Sequence, residues 1–182
     1  MTFTRAALLS LCALVSLPSI AAAQEFPKPG PEHAALKAMT GEWDGKVKFY
    51  FDPSSPPMES TGTFSAKLDV GGFFLFTDYK GDMAGAPFHG RGTTGYDPFK
   101  KKYVGTWVDS MSPAIYNVEG SFDESGKTFS ESMSGPGPDG TPMKFRMVTQ
   151  VADADHMTFT MFMIGADGKD TKLMETAYTR KK

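Results

Sequence analysis

From about Gly41 to Arg180 the chain alternates apolar and polar residues in short runs punctuated by glycine, with almost no helical periodicity. Trp43, Gly45, Val47, Phe49 and Phe51 alternate with Asp44, Lys46 and Lys48, the signature of a half-buried strand. Phe64, Ala66 and Leu68 repeat it, and Gly71-Gly72 turns into Phe73–Phe76, an unbroken apolar run that predicts a strand covered on both faces. Further strands are predicted over Phe88–Tyr96, Tyr103–Asp109, Ile115–Phe122, Lys127–Met133, Met143–Val151, Met157–Ile164 and Leu173–Thr179. Glu124-Ser125-Gly126, Gly137-Pro138-Asp139-Gly140 and Asp167-Gly168 supply turn chemistry between them. Short loops between neighbours imply an antiparallel meander, and a twisted meander of about ten strands closes to remove its edges. The fold class is all-β: an up-and-down antiparallel barrel with a short N-terminal helix. That helix is predicted over Glu32–Met39, opened by Pro31 and carrying Ala35, Leu36 and Met39 as its apolar stripe. It is placed either as a plug at one barrel end or as a peripheral turn.

The N-terminus changes the compartment. Arg5, an apolar stretch from Ala6 to Leu17 and Ala21-Ala22-Ala23 form the layout of a secretory signal peptide cut before Gln24. Residues 1–23 are therefore expected to be a signal, 24–31 a polar, proline-rich leader and 32–182 one barrel domain, periplasmic or secreted. Cys12, the sole cysteine, leaves with the signal, so the mature chain must rely on core packing without disulfides. About 160 residues suffice for that, since a domain of this size buries close to 70% of its unfolded surface. Loss of Arg5 also takes the formal net charge from −2 to −3. Mild acidity without a basic cluster beyond Arg180-Lys181-Lys182 argues against a nucleic-acid partner.

A closed barrel has an interior, and the late strands indicate what lines it. Met143, Phe145, Met147 and Val151 share one face, and Met157, Phe159, Met161 and Met163 share another. Flexible, polarizable thioethers suit a pocket for irregular apolar ligands, or else a core filled by its own methionines. Met161 and Met163 could also offer sulfur to copper, but no cysteine or histidine accompanies them on that face. The apolar wall is assigned to Phe145, Met147, Phe159, Met161 and Met163. Tyr79, Arg91, Trp107, Asp109 and Glu119 are the candidate polar contacts, with Arg91 the natural partner for an enclosed carboxylate. Of three histidines, His33 lies on the N-terminal helix and His156 falls opposite the Met157 face. His89 alternates with Arg91 on a strand whose other face carries Gly90 and Gly92, and either face could be internal. No H-E-x-x-H, G-x-S-x-G, phosphate loop or dinucleotide fingerprint occurs, so catalysis has no motif behind it.

Ordered signposts run along the chain: Gly41-Glu42-Trp43, Gly71-Gly72, Gly95-Tyr96-Asp97, Thr106-Trp107-Val108-Asp109-Ser110-Met111, Glu119-Gly120 and Tyr178-Thr179-Arg180. The series resembles the bacterial domain of unknown function 1579, from about His33 to Arg180. That family is similar to lipocalin-like, calycin-type barrels, which hold fatty acids, retinoid-like molecules or haem. The resemblance implies a carrier for a small hydrophobic or amphipathic molecule rather than an established activity. Nitrobindin-type cousins bind haem through an inward histidine, and the outward register of His156 disfavours that cofactor here. An isomerase or hydrolase using Asp109 or His89, and a module acting through its outer surface, are the alternatives.

Overall fold

A computed structural model describes residues 26–52, 54–83, 85–137 and 139–182. The expected signal peptide lies outside the described residues. A one-turn helix α1 (Pro31–Ala35) runs into a 3-10 turn (Leu36–Met39), so the predicted helical segment tightens halfway. Ten strands follow: β1 (Gly41–Phe49), β2 (Met58–Asp69), β3 (Phe74–Met83), β4 (Ala86–Asp97) and β5 (Lys102–Asp109). The second half comprises β6 (Ser112–Phe122), β7 (Thr128–Pro136), β8 (Pro142–Val151), β9 (His156–Ile164) and β10 (Asp170–Arg180). Each strand pairs antiparallel with its sequence neighbours, and β10 returns to β1, closing the barrel. The meander expected from the short loops is the one observed.

The closing seam runs from Trp43 opposite Arg180 to Phe49 opposite Met174. Gly41, at a φ of 118°, turns the chain from the helical segment into β1, a backbone region that disfavours side chains. A Cβ there would also collide with the Arg180 guanidinium. That guanidinium lies 4.0 Å over the Trp43 ring and donates to the Thr40 and Ala154 carbonyls at 2.6 Å each.

α1 and its 3-10 continuation plug the barrel end where β1 begins. Leu36 and Met39 are buried with Trp43, Ala66, Leu75, Tyr103, Phe129, Met157 and Tyr178 in one apolar cluster. Two bonds fix the plug: the Trp43 indole donates to the Met39 carbonyl at 3.1 Å, and the Tyr103 hydroxyl donates to that of Glu32 at 2.8 Å. Enclosure raises the Tyr103 pKa to about 12. A second cluster, Tyr116, Val118, Met133, Phe145 and Met147, lies around the other half of the barrel.

One expectation is corrected. The Phe73–Phe76 run is not covered on both faces: Leu75 is buried inside, while Phe74 is 39% exposed. Phe74 lies where a Cβ on Gly95 of the paired strand would stand, so a glycine shelters the outward ring. β2 also begins at Met58, well before Phe64, because Phe49 pairs with Met58 and the hairpin extends through polar residues. Phe51 falls outside β1 and stacks on Phe49 at 5.7 Å.

Thr176, on the closing strand, has a fully buried hydroxyl that meets no hydrogen-bond geometry among the described residues. Removing an unsatisfied buried hydroxyl recovers its desolvation cost, of order 1 kcal/mol. Thr176→Val is therefore expected to raise the urea midpoint with an unchanged m-value. A lowered midpoint would mean that the hydroxyl is satisfied in solution.

Candidate functional site

The barrel interior is not filled. A cavity of about 590 Å³ extends between the two apolar clusters and reaches the end opposite the plug, where Met83, Met111, Pro113, Pro136 and Gly137 form its lip. Nine of the chain's twelve methionines line it, so the wall can remodel around occupants of different shape. Phe145 and Met147 of β8, and Phe159 and Met161 of β9, stand on this wall as expected. Met163 is not among the lining residues; it packs against the second cluster.

The face of β4 left open by the sequence is resolved by Trp107. Gly90 and Gly92 point inward, and the Trp107 ring occupies the space their side chains would take. The indole lies against the β4 backbone, lines the cavity, and donates from Nε1 to Asp109 Oδ2 at 3.0 Å. Asp109 Oδ1 accepts the Met111 amide at 2.9 Å, which fixes the β5–β6 turn at the lip. Tyr79 lies over Gly62 and Gly81 in the same way, its phenol against the inner backbone, and burial raises its pKa.

Inward glycines put His89 and Arg91 on the outer face, correcting their assignment to the site. His89 Nε2 lies 2.9 Å from Asp78 Oδ2, and Arg91 Nε donates to the same oxygen at 2.7 Å. The His89 contact, with help from Arg91, holds Asp78 below the usual carboxylate range. Arg91 is thus the partner of a surface aspartate, not of an enclosed carboxylate. Glu119 is also outside, because Tyr116 and Val118 take the inward positions of β6. It meets Lys100 at 3.0 Å and Lys102 at 3.5 Å, and Lys100 chiefly lowers its pKa. Asp109 and His89 lie on paired strands but on opposite faces, Asp109 on the cavity wall and His89 outside.

His156 is exposed, 2.9 Å from Asp153, and His33 caps its own helical turn by accepting the Gly30 amide. Among the described residues no histidine stands on the cavity wall. Among the described residues no cluster of three metal-ligating side chains occurs, and no helix is long and apolar enough to cross a membrane.

One interior group escaped the sequence reading. Glu131 of β7 points into the cavity between Phe129 and Met133, opposite Gly120 and Met147 on the adjoining strands. The accessible surface it retains faces the cavity, and among the described residues it has neither a hydrogen-bond nor an ion-pair partner. Burial alone raises its pKa to about 8. The alternation Phe129-x-Glu131-x-Met133 carried the signal, since an acid between two inward apolar residues must share their face.

The class these features define is an up-and-down antiparallel barrel with a methionine-lined internal cavity. The sequence matches the DUF1579 family, described as proteins of unknown function, over residues 28–180, and the chain belongs to that family. Among solved structures it is similar to Rv2717c from M. tuberculosis, at 15% identity and a TM-score of 0.64 over 84% of this chain and 99% of that one. It is also similar to the S-type phycobiliprotein lyase CPES from Guillardia theta, at 12% identity and a TM-score of 0.53 over 85% and 99%. No curated protein matches it.

Glu131 makes stability depend on pH. The unfolded carboxyl loses its proton near the ordinary 4.5 and the folded one near 8. Within that window the folded state holds the extra proton, so stability falls as pH rises, by up to about 1.4 kcal/mol per unit. Below the window the stability is fully present; above it the loss is complete. Urea titrations across the window are expected to show this decline in the wild type and a flatter profile for Glu131→Gln. Parallel profiles would assign the decline to other groups.

Proposed function

We propose that the chain is an exported carrier that holds a small hydrophobic or amphipathic molecule inside its barrel. The cavity carries this reading. At about 590 Å³ it lies within the usual range for small-molecule sites, with a mostly apolar wall and a few polar groups. An interior kept only for stability would be packed closely, because empty volume forfeits dispersion contacts. The fold neighbours, at 15% and 12% identity, support the architecture and leave the occupant open. Export rests on the N-terminal signal pattern.

The carrier reading is favoured over an enzyme using His89, which lies outside with its ring on Asp78. Asp109 stays on the wall, with its carboxylate committed to Trp107 and Met111 as a positioning contact. A module acting only through its outer surface would leave the open interior without a use.

Intact-mass analysis of protein produced in a bacterial periplasm is expected to find a mature form beginning at Gln24. Titration with Nile red, a neutral apolar probe, is expected to quench Trp107 emission with one saturable site. Trp107→Phe should lose the quench, because Trp43 is sealed in the plug-end cluster away from the cavity. Ala114→Trp, which fills part of the cavity wall, should weaken probe binding by about tenfold or more, whereas His89→Ala and Glu119→Gln leave it unchanged. A wild-type protein that ignores the probe, or equal binding by Ala114→Trp, would overturn the carrier reading.

A further inference from the structure

The polarity of the cavity is one-sided. Its lining contains three carboxylic acids, Asp82, Asp109 and Glu131, and no lysine, arginine or histidine. Asp82 lies at the mouth, where its Oδ1 accepts the Gly85 amide at 2.7 Å, and Asp109 is held by Trp107 and Met111. Glu131 has no such support. It sits where the plug-end cluster, through Phe129, meets the second cluster, through Met133. An acid enclosed without a partner is among the costlier features of a fold, and a bound group of opposite charge relieves it.

We infer that the occupant is an amphiphile whose polar end is a protonated amine or comparable cationic nitrogen, with Glu131 as its counter-ion. This deepens the carrier reading and rests on it. A fatty-acid anion would find no cation on this wall to receive it. A cationic nitrogen would instead make a charge-assisted bond to Glu131 while its apolar body lay against Met147, Phe145 and Met161. Gly120, directly opposite Glu131, makes room for this side chain: a Cβ there would collide with the Ser130 carbonyl and with Glu131 Cγ.

Binding also has a proton balance. The empty site holds Glu131 protonated at neutral pH, consistent with its pKa near 8. Pairing with an already protonated amine ionises the carboxyl and releases its proton to solvent, with no covalent bond made or broken. The other titratable groups on the wall are Asp82, Asp109, Tyr79, Tyr116 and Tyr178. Of these only Tyr116 comes from a strand adjoining β7, and its hydroxyl donates to the Pro136 carbonyl and lies within hydrogen-bond distance of Ser112 Oγ.

The test uses the mature protein with Nile red bound, displaced by dodecylamine or by dodecanoate at neutral pH. Dodecylamine is expected to displace the probe at a concentration at least about tenfold below dodecanoate. In Glu131→Gln that ratio should collapse towards one, while Glu119→Gln, a surface acid, keeps it. Calorimetry in two buffers of different ionisation enthalpy should register a proton released per amine bound by the wild type and none by Glu131→Gln. Probe binding with dodecanoate equal or preferred, or an amine preference that survives in Glu131→Gln, would overturn the inference and leave the carrier reading standing. Failure of the wild type to bind the probe or either amphiphile would overturn both.

Discussion

The whole structure depends on β10 returning to pair with β1. A meander of ten twisted strands exposes two edges until that seam forms, and there is no interior before it does. Arg180 concentrates the closure at one side chain. Its guanidinium stacks on Trp43 of the first strand, donates to Thr40 before that strand, and donates to Ala154 in the turn before β9. The Trp43 indole in turn donates to Met39 in the plug. Sealing the seam and plugging the end are therefore coupled, and Gly41 permits both by adopting a positive φ where a Cβ would displace the guanidinium.

Closure alone does not leave a cavity; strand number does. A barrel of about eight strands has an interior that its own side chains just fill, and the diameter grows with each strand added. Ten strands widen the interior, and several inward positions then supply no filling. Gly62, Gly81, Gly90 and Gly92 have no side chain, and Tyr79 and Trp107 spread flat over their backbones. Those rings form pavement on the wall when they would otherwise reach the centre. Methionines complete the lining with side chains that adapt in shape but do not set a unique packing.

How much of this was legible in the chain follows from where alternation is strong. The Met157, Phe159 and Met161 face could be read directly because large apolar residues occupy one side of the strand. The Phe88–Tyr96 strand could not be read that way. One face is mainly glycine and the other carries His89 and Arg91, so hydrophobicity does not choose between them; Trp107 decides from the neighbouring strand. Ile115 shares a face with Glu119, yet it is 63% exposed, and Tyr116 and Val118 on the other face are buried. Glu131 was passed over for the opposite reason. Its neighbours mark its face as internal, but an acid there conflicts with the usual cost of burying one.

That conflict bears on function more than the fold does. Barrels related at 12–15% identity share the architecture while their interiors are free to diverge, so architecture does not choose the occupant. Charge on the wall does. An apolar cavity with no titratable group would select for size and shape alone, and a basic wall would capture carboxylates. Here the charged side chains on the wall are acids alone, and Glu131 has no partner among the described residues, so the favourable occupant is the one that brings the missing positive charge. Asp82 and Asp109, nearer the mouth, add to the same negative field along the route a ligand takes inward. Local preference for a packed, uncharged core has been set aside at one residue, and a binding site is where such a departure is expected.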